Sequence, residues 1–332
     1  MANPSLWQRC SVWLPDNRYV AKHLYIYSPS GAVRDKAAFK RGLLRLKSLG
    51  YDVEVDPDAL KSSQRFAGDD VTRLAAITRA AASGADLALI SRGGYGLTRI
   101  LPDLPYKAIS RAIAKGTHFV GISDFTAFQL AVFAKTGAVT WAGPAVCEGF
   151  GALPEPDEIM EDCFQDLATG QGEGVGWRQT RISGAAPEAV QGPPITKNIR
   201  NATLWGGNLS VLVSLLGTPF FPEVKSGVLF LEDIAEHPYR IERMLTQLLH
   251  SGVLARQKAI VLGQFTEYKL TPHDRGFKFS TVVAWLQSKL KIPVLTNLPY
   301  GHVPTKVLLP VGAKVDLVIE GRDVLLAWGH VH

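Results

Sequence analysis

The chain is 332 residues long, 46% hydrophobic and 20% charged. That is the balance of a soluble globular protein, and more length than one hydrophobic core usually takes, so two domains are expected. Its 36 basic and 30 acidic residues leave +6 without a dense Lys/Arg tract or basic–aromatic alternation, so nucleic acid is not an expected partner.

From Lys22 the hydrophobic pattern alternates between strand and helix. Leu24-Tyr25-Ile26-Tyr27 predicts a strand closed by Ser28-Pro29-Ser30-Gly31, and Ala38, Phe39, Leu43, Leu44 and Leu46 follow at helical spacing. Tyr51–Val55 predicts a second strand, Val71–Ala82 a second helix, and Ala85–Ile90 a third strand ending at Ser91. Thr117–Ile122 and Ala138–Trp141 supply two more, with a helical run from Thr126 to Phe133 between them. Strands separated by amphipathic helices are the signature of a parallel α/β sheet.

From Gly143 to about Thr203 the periodicity fades and Gly and Pro become dense, apart from an acidic helix over Asp157–Ala168. A second α/β block follows. Gly227–Glu232 and Lys258–Gly263 predict strands. Pro238 suits a first helical position ahead of Ile241, Met244, Leu245, Leu248 and Leu249. Val282–Leu290 predicts a helix, and short strands fill the tail at Val294–Thr296, Val307–Leu309, Val315–Ile319 and Val324–Leu326. The expected organisation is an N-terminal extension (1–21), a parallel α/β domain of Rossmann or flavodoxin type (22–145), an inter-domain connection (146–200) and a smaller C-terminal α/β domain with a mixed sheet (201–332).

Cys10, Cys147 and Cys163 form no C-x-x-C and no disulfide framework, which favours a reducing compartment. Met1 to Tyr27 is interrupted by Arg9, Pro15, Asp16, Asn17 and Arg18 and lacks the apolar core of roughly 7–15 residues that a secretory signal needs. No run reaches the ~18 apolar residues of a membrane span. A cytoplasmic protein without membrane partners is expected.

Chemistry points first to Gly121-Ile122-Ser123-Asp124, where an apolar strand meets a helix. A serine at such a corner can present its hydroxyl beside backbone N–H groups and the positive end of a helix, as in a nucleophile elbow, although the second glycine of G-x-S-x-G is absent. Ser or Asp in that place more often simply caps the helix. Arg92-Gly93-Gly94-Tyr95-Gly96 also follows a strand. Its glycines allow a close backbone approach to a ligand, or merely a tight turn, and no phosphate-loop pattern accompanies them. Glu232-Asp233 ends a strand and His302 lies in a loop; either has an ordinary structural explanation. His237 and His273-Asp274 lack metal-ligand spacing.

Together, several segments resemble the LD-carboxypeptidase family, which includes the microcin-immunity serine peptidases. They are Ser28-Pro29-Ser30-Gly31, Phe66-Ala67-Gly68-Asp69-Asp70, Ser91–Gly96, Gly121–Thr126, Thr203-Leu204-Trp205-Gly206-Gly207-Asn208-Leu209, Leu231-Glu232-Asp233-Ile234 and Leu298-Pro299-Tyr300-Gly301-His302. The resemblance implies a Ser–His–Glu triad, with Ser123 as nucleophile, His302 as general base and acid, and Glu232 orienting His302. It further implies an oxyanion hole from the N–H groups of Gly94 and Asp124, and substrate contacts at Gly93, Tyr95, Trp205 and Asn208. Ser123 would then belong to the first domain and its partners to the second. No metal and no cofactor is expected. The implied activity is release of terminal D-alanine from murein tetrapeptides during peptidoglycan recycling, by a homodimer. An immunity-type peptidase acting on a peptidyl-nucleotide is the alternative within the family, and a non-enzymatic two-domain binding protein the alternative outside it.

Overall fold

The computed structural model describes residues 21–180, 196–329 and 331. Most of the expected N-terminal extension, with Cys10, lies outside the described residues, as does the middle of the expected connection.

Two sheets form the frame. The first has six strands in the order β11-β5-β4-β3-β1-β2: β1 (His23–Tyr27), β2 (Asp52–Val55), β3 (Leu87–Ile90), β4 (His118–Gly121), β5 (Thr140–Ala142) and β11 (Leu309–Val311). β1 to β5 run parallel. Helices α1 (Lys36–Ser48), α2 (Asp70–Ala82), α3 (Leu97–Ile100), α4 (Tyr106–Ala114) and α5 (Phe125–Thr136) fall in the connections. All four residues of β3 are buried, which is why its sequence is a continuous apolar run rather than an alternation. β11 comes from the C-terminal half and pairs antiparallel with β5, Pro310 opposite Trp141. An edge position tolerates that proline, which has no N–H to give to a ladder.

The second sheet has seven strands in the order β10-β9-β8-β7-β12-β13-β6. These are β6 (Gly174–Arg178), β7 (Thr196–Asn208), β8 (Val228–Ile234), β9 (Ala259–Thr266), β10 (Val294–Leu295), β12 (Lys314–Glu320) and β13 (Asp323–Ala327). β7 joins the sheet's two characters: Thr196–Thr203 pairs antiparallel with β12, and Leu204–Asn208 pairs parallel with β8. The stretch expected to be a connection therefore holds α6 (Glu158–Thr169) and contributes β6 and the start of β7 to this sheet. α7 (Leu209–Ser214), α8 (Pro238–His250) and α9 (Phe279–Lys289) complete the second half. Pro238 does open its helix, with His237 as the cap.

α5 is buried along its whole apolar length from Phe125 to Val132. It packs on α4 and β5 of the first half and on α7 and β7 of the second. A helix hydrophobic on all sides is one covered on all sides, and here the cover comes from both halves of the chain. Among the described residues no helix is long and apolar enough to cross a membrane.

Candidate active site

Ser123 lies between the end of β4 and the start of α5, with φ at 67°. That left-handed conformation disfavours a residue with a Cβ and recurs at functional turns. It is the sharp strand-to-helix corner of an elbow. The capping alternative is not realised at Asp124, whose side chain makes no bond to the helix. Instead its buried carboxylate accepts from Leu97 N at 2.9 Å and from the Ser30 hydroxyl, tying the start of α5 to the glycine loop and to the loop after β1. Burial pushes the Asp124 carboxyl above its usual range, against the pull of those donors.

The glycine loop and Ser123 share one rim. A Cβ on Gly93 would stand 2.5 Å from Ser123 Cβ and 2.9 Å from its Oγ, so only glycine fits that approach. Gly31 N donates to Gly93 O at 3.2 Å and Ser28 Oγ to Ser91 Oγ at 2.6 Å, clasping the two loops together. Among the described residues, neither the Gly94 nor the Asp124 N–H donates to a protein acceptor. Tyr95 is 43% exposed, its ring tilted against Phe66 at 5.9 Å between centroids, with the Arg65 guanidinium 5.5 Å over it.

On the other half, His302 Nδ1 donates to Glu232 Oε2 at 2.8 Å. Glu232 is fully buried and His302 largely so. Burial alone would lower the imidazole pKa, but the hydrogen bond and charge of Glu232, with Asp233 behind it, raise it above the usual histidine range. The ladder is irregular at this point: β9 carries one extra residue opposite Glu232, between Leu262 and Phe265. Both the Glu232 and the Asp233 carboxylates reach the Asn208 amide, although regular alternation would send them to opposite faces: Nδ2 donates to Glu232 Oε1 at 3.2 Å and to Asp233 Oδ1 at 3.0 Å. Asp233 also accepts from Ser210 N and Ile234 N, yet burial and the charge of Glu232 push its pKa up to about 7.

The structure thus brings Glu232 and His302 into contact, and Gly93 to the rim of Ser123, with Gly94 packed on Gly31 beside it. Ser123 Oγ and His302 are not hydrogen-bonded to one another. Two expected substrate contacts need correcting. Trp205 has no exposed surface; its Nε1 donates to Gln257 Oε1 at 3.0 Å and its ring packs edge-on to Phe221. Asn208 is turned inward as a brace, its Nδ2 on the two carboxylates and its Oδ1 on Ser210 Oγ and Val211 N. Three residues given no role in the sequence reading touch this region: Ser30 on the Asp124 carboxylate, Thr126, whose Oγ1 accepts from Asn208 N, and Lys306, whose Nζ donates to the Val303 carbonyl. Each carries a residue type with many ordinary uses, and only folding shows what it meets. His237 and Asp274 pair at 3.3 Å beside α8. No group of three or more His, Cys, Asp or Glu among the described residues is placed to hold a metal ion.

Family models match both halves: the LD-carboxypeptidase N-terminal domain over residues 24–143 and its C-terminal domain over 201–317. A Bacillus subtilis protein named "Probable murein peptide carboxypeptidase" is 29% identical over 297 residues, covering 89% of this chain and 88% of that one. The microcin C7 self-immunity protein MccF of Escherichia coli is 28% identical over 250 residues, 70% of this chain and 71% of MccF. The crystal structure of a muramoyltetrapeptide carboxypeptidase from Oxalobacter formigenes superposes with a TM-score of 0.80 at 38% identity, covering 92% of this chain and 98% of that one. With both domain models matched in order and a relative of this identity spanning nearly its full length, the chain belongs to the LD-carboxypeptidase family.

Proposed function

We propose that this protein is a serine carboxypeptidase that hydrolyses the L–D amide bond of murein tetrapeptides, releasing terminal D-alanine. The observation that carries the reading is the buried Glu232–His302 pair, 2.8 Å apart, in a chain whose Ser123 is held at an elbow. Glu232 accepts the Nδ1 proton, which leaves Nε2 as the basic nitrogen. His302 Nε2 takes the Ser123 proton as Oγ attacks the carbonyl carbon. The N–H groups of Gly94 and Asp124 receive the oxyanion, each such donor typically worth ~3–4 kcal/mol in the transition state. Collapse of the tetrahedral intermediate expels the D-alanine amine with the proton held on His302. Water, deprotonated by the same imidazole, then releases the acyl group from Ser123. Catalytic hydrogen bonds are often long before substrate binds, so a Ser123–His302 bond belongs to the substrate complex. A cytoplasmic, homodimeric enzyme of peptidoglycan recycling belongs to the same reading.

The test is to incubate the protein with a defined L,D-tetrapeptide and measure free D-alanine, alongside an aminoacyl-nucleotide amide. D-alanine release that disappears in Ser123→Ala supports the proposal. Release that persists at the wild-type rate in Ser123→Ala overturns the serine mechanism, and turnover of the nucleotide conjugate alone overturns the substrate assignment in favour of the immunity-type activity.

A further inference from the structure

Lys306 is 3% exposed, a rare burial for a lysine. It follows the turn that carries His302, and its Nζ donates to the Val303 carbonyl inside that turn. No other hydrogen-bond acceptor holds it among the described residues. The charges that reach it come from three different elements: Glu148 in the turn after β5, Glu232 in β8, and Asp157 at the cap of α6. Glu148 pairs with Arg92 of the glycine loop, 3.3 Å away, and Asp157 Oδ2 accepts from Thr305 Oγ1 at 2.6 Å. The turn bearing the imidazole is therefore pinned on both of its C-terminal residues, Thr305 and Lys306.

We propose that Lys306 is a positioning residue for His302: its ammonium clamps the Val303 carbonyl, one residue after His302, which fixes the imidazole-bearing turn and holds a buried positive charge within it. The catalytic significance of this rests on the proposed serine mechanism. The groups acting on His302 are Glu232 and Asp233, which favour the imidazolium, and Lys306, which disfavours it. Buried Tyr300 is held in its neutral form by burial and by Glu232, so it adds no charge. Burial lowers the Lys306 pKa, and the three carboxylates counter that effect. A triad with an orienting glutamate and a second buried carboxylate beside it needs such a counterweight, because an imidazole protonated at working pH cannot accept the serine proton.

The experiment is a pH titration of the His302 ring signals by NMR, assigned by comparison with His302→Asn, in the wild type, Lys306→Met and Lys306→Arg. The expected result is that Lys306→Met raises the His302 midpoint by about 0.5–1 pH unit, while Lys306→Arg, which keeps the charge, leaves it near the wild-type value. The acid limb of kcat/KM for the tetrapeptide should move up by the same amount in Lys306→Met. An unchanged midpoint in folded Lys306→Met overturns the proposal, and so does activity that falls only in step with the melting temperature. If the Met variant does not fold, Lys306→Gln takes its place under the same criteria. A raised midpoint in a protein that releases no D-alanine would leave the electrostatic role of Lys306 standing and reject the proposed function instead.

Discussion

The backbone N–H of Asn208 donates to Thr126 Oγ1 at 3.0 Å, joining the last residue of β7 to the first turn of the helix that Ser123 introduces. The same Asn208 holds Glu232 through its side chain. A short covalent and hydrogen-bonded path thus runs from the elbow serine, through Thr126 and Asn208, to the carboxylate hydrogen-bonded to His302. Since the proposed nucleophile and its base belong to different halves of the chain, this junction fixes how the halves meet where it matters for chemistry.

The junction depends on Gly207. Its φ is 131°, and a Cβ there would stand 2.5 Å from Thr126 Oγ1. Gly207→Ala is expected to cost about 1–3 kcal/mol through overpacking and an unfavourable backbone conformation. Because the clash falls between β7 and α5, kcat should drop by a larger factor than the stability loss alone produces. Thermal unfolding and steady-state kinetics on one preparation check both parts; a variant with wild-type melting and activity would show that the junction yields freely.

Asn208→Ala removes the amide that both buried carboxylates share. A buried acceptor deprived of its donor costs ~1–3 kcal/mol, and Glu232 is left free to rotate away from His302. The expected signature is a fall in kcat of roughly 10–100-fold, as for other orienting partners, with KM little changed because Asn208 faces away from the solvent side of the site. A change confined to KM would restore Asn208 as a substrate contact.

The parallel strands of both halves were legible because burial on two faces leaves continuous apolar runs, as in Leu87–Ile90 and Val228–Leu231. β7 was not. Its first three residues are exposed and polar, and its end, Gly206-Gly207-Asn208, reads as a turn although it is buried. β6 is hidden in the same way by alternating glycines in Gly174–Arg178. At the candidate site, Ser123, Glu232 and His302 each had an ordinary explanation when read singly, and only the family resemblance of the segments around them implied a triad; the structure puts Glu232 against His302. What stayed hidden was direction. An aromatic and an amide near a glycine pair suggest a pocket wall, and sequence alone does not say that Trp205 and Asn208 both face inward. The meeting of Glu232 and Asp233 on one amide leaves no pattern in β8 itself.

Trp205→Phe separates a core role from a binding role. The phenyl ring keeps the apolar contact with Phe221 but leaves Gln257 Oε1 without its indole donor. The expected outcome is a stability loss of about 1–3 kcal/mol from the unpaired acceptor and the lost volume, with KM for the tetrapeptide unchanged. Denaturant unfolding and a substrate titration measure the two quantities independently. A KM that rises several-fold in a protein of unchanged stability would place Trp205 at the substrate after all.

Glu232→Gln tests the electrostatics of the pair. In the wild type the glutamate outweighs burial and raises the His302 pKa, above the ordinary value of about 6.5. The general base must be neutral, so activity present at high pH should be lost as pH falls through that raised value. In Glu232→Gln the charge is gone while burial remains, so the acid limb of kcat/KM should move to lower pH. The plateau should fall by roughly 10³–10⁴-fold, because an amide can donate to Nδ1 and favour the wrong tautomer. A pH–rate profile from pH 5 to 9 on both proteins distinguishes the effects. An acid limb that stays in place while the plateau falls would mean that a group not coupled to the Glu232 charge governs the wild-type profile, which excludes both His302 and Asp233, since that charge raises the pKa of each.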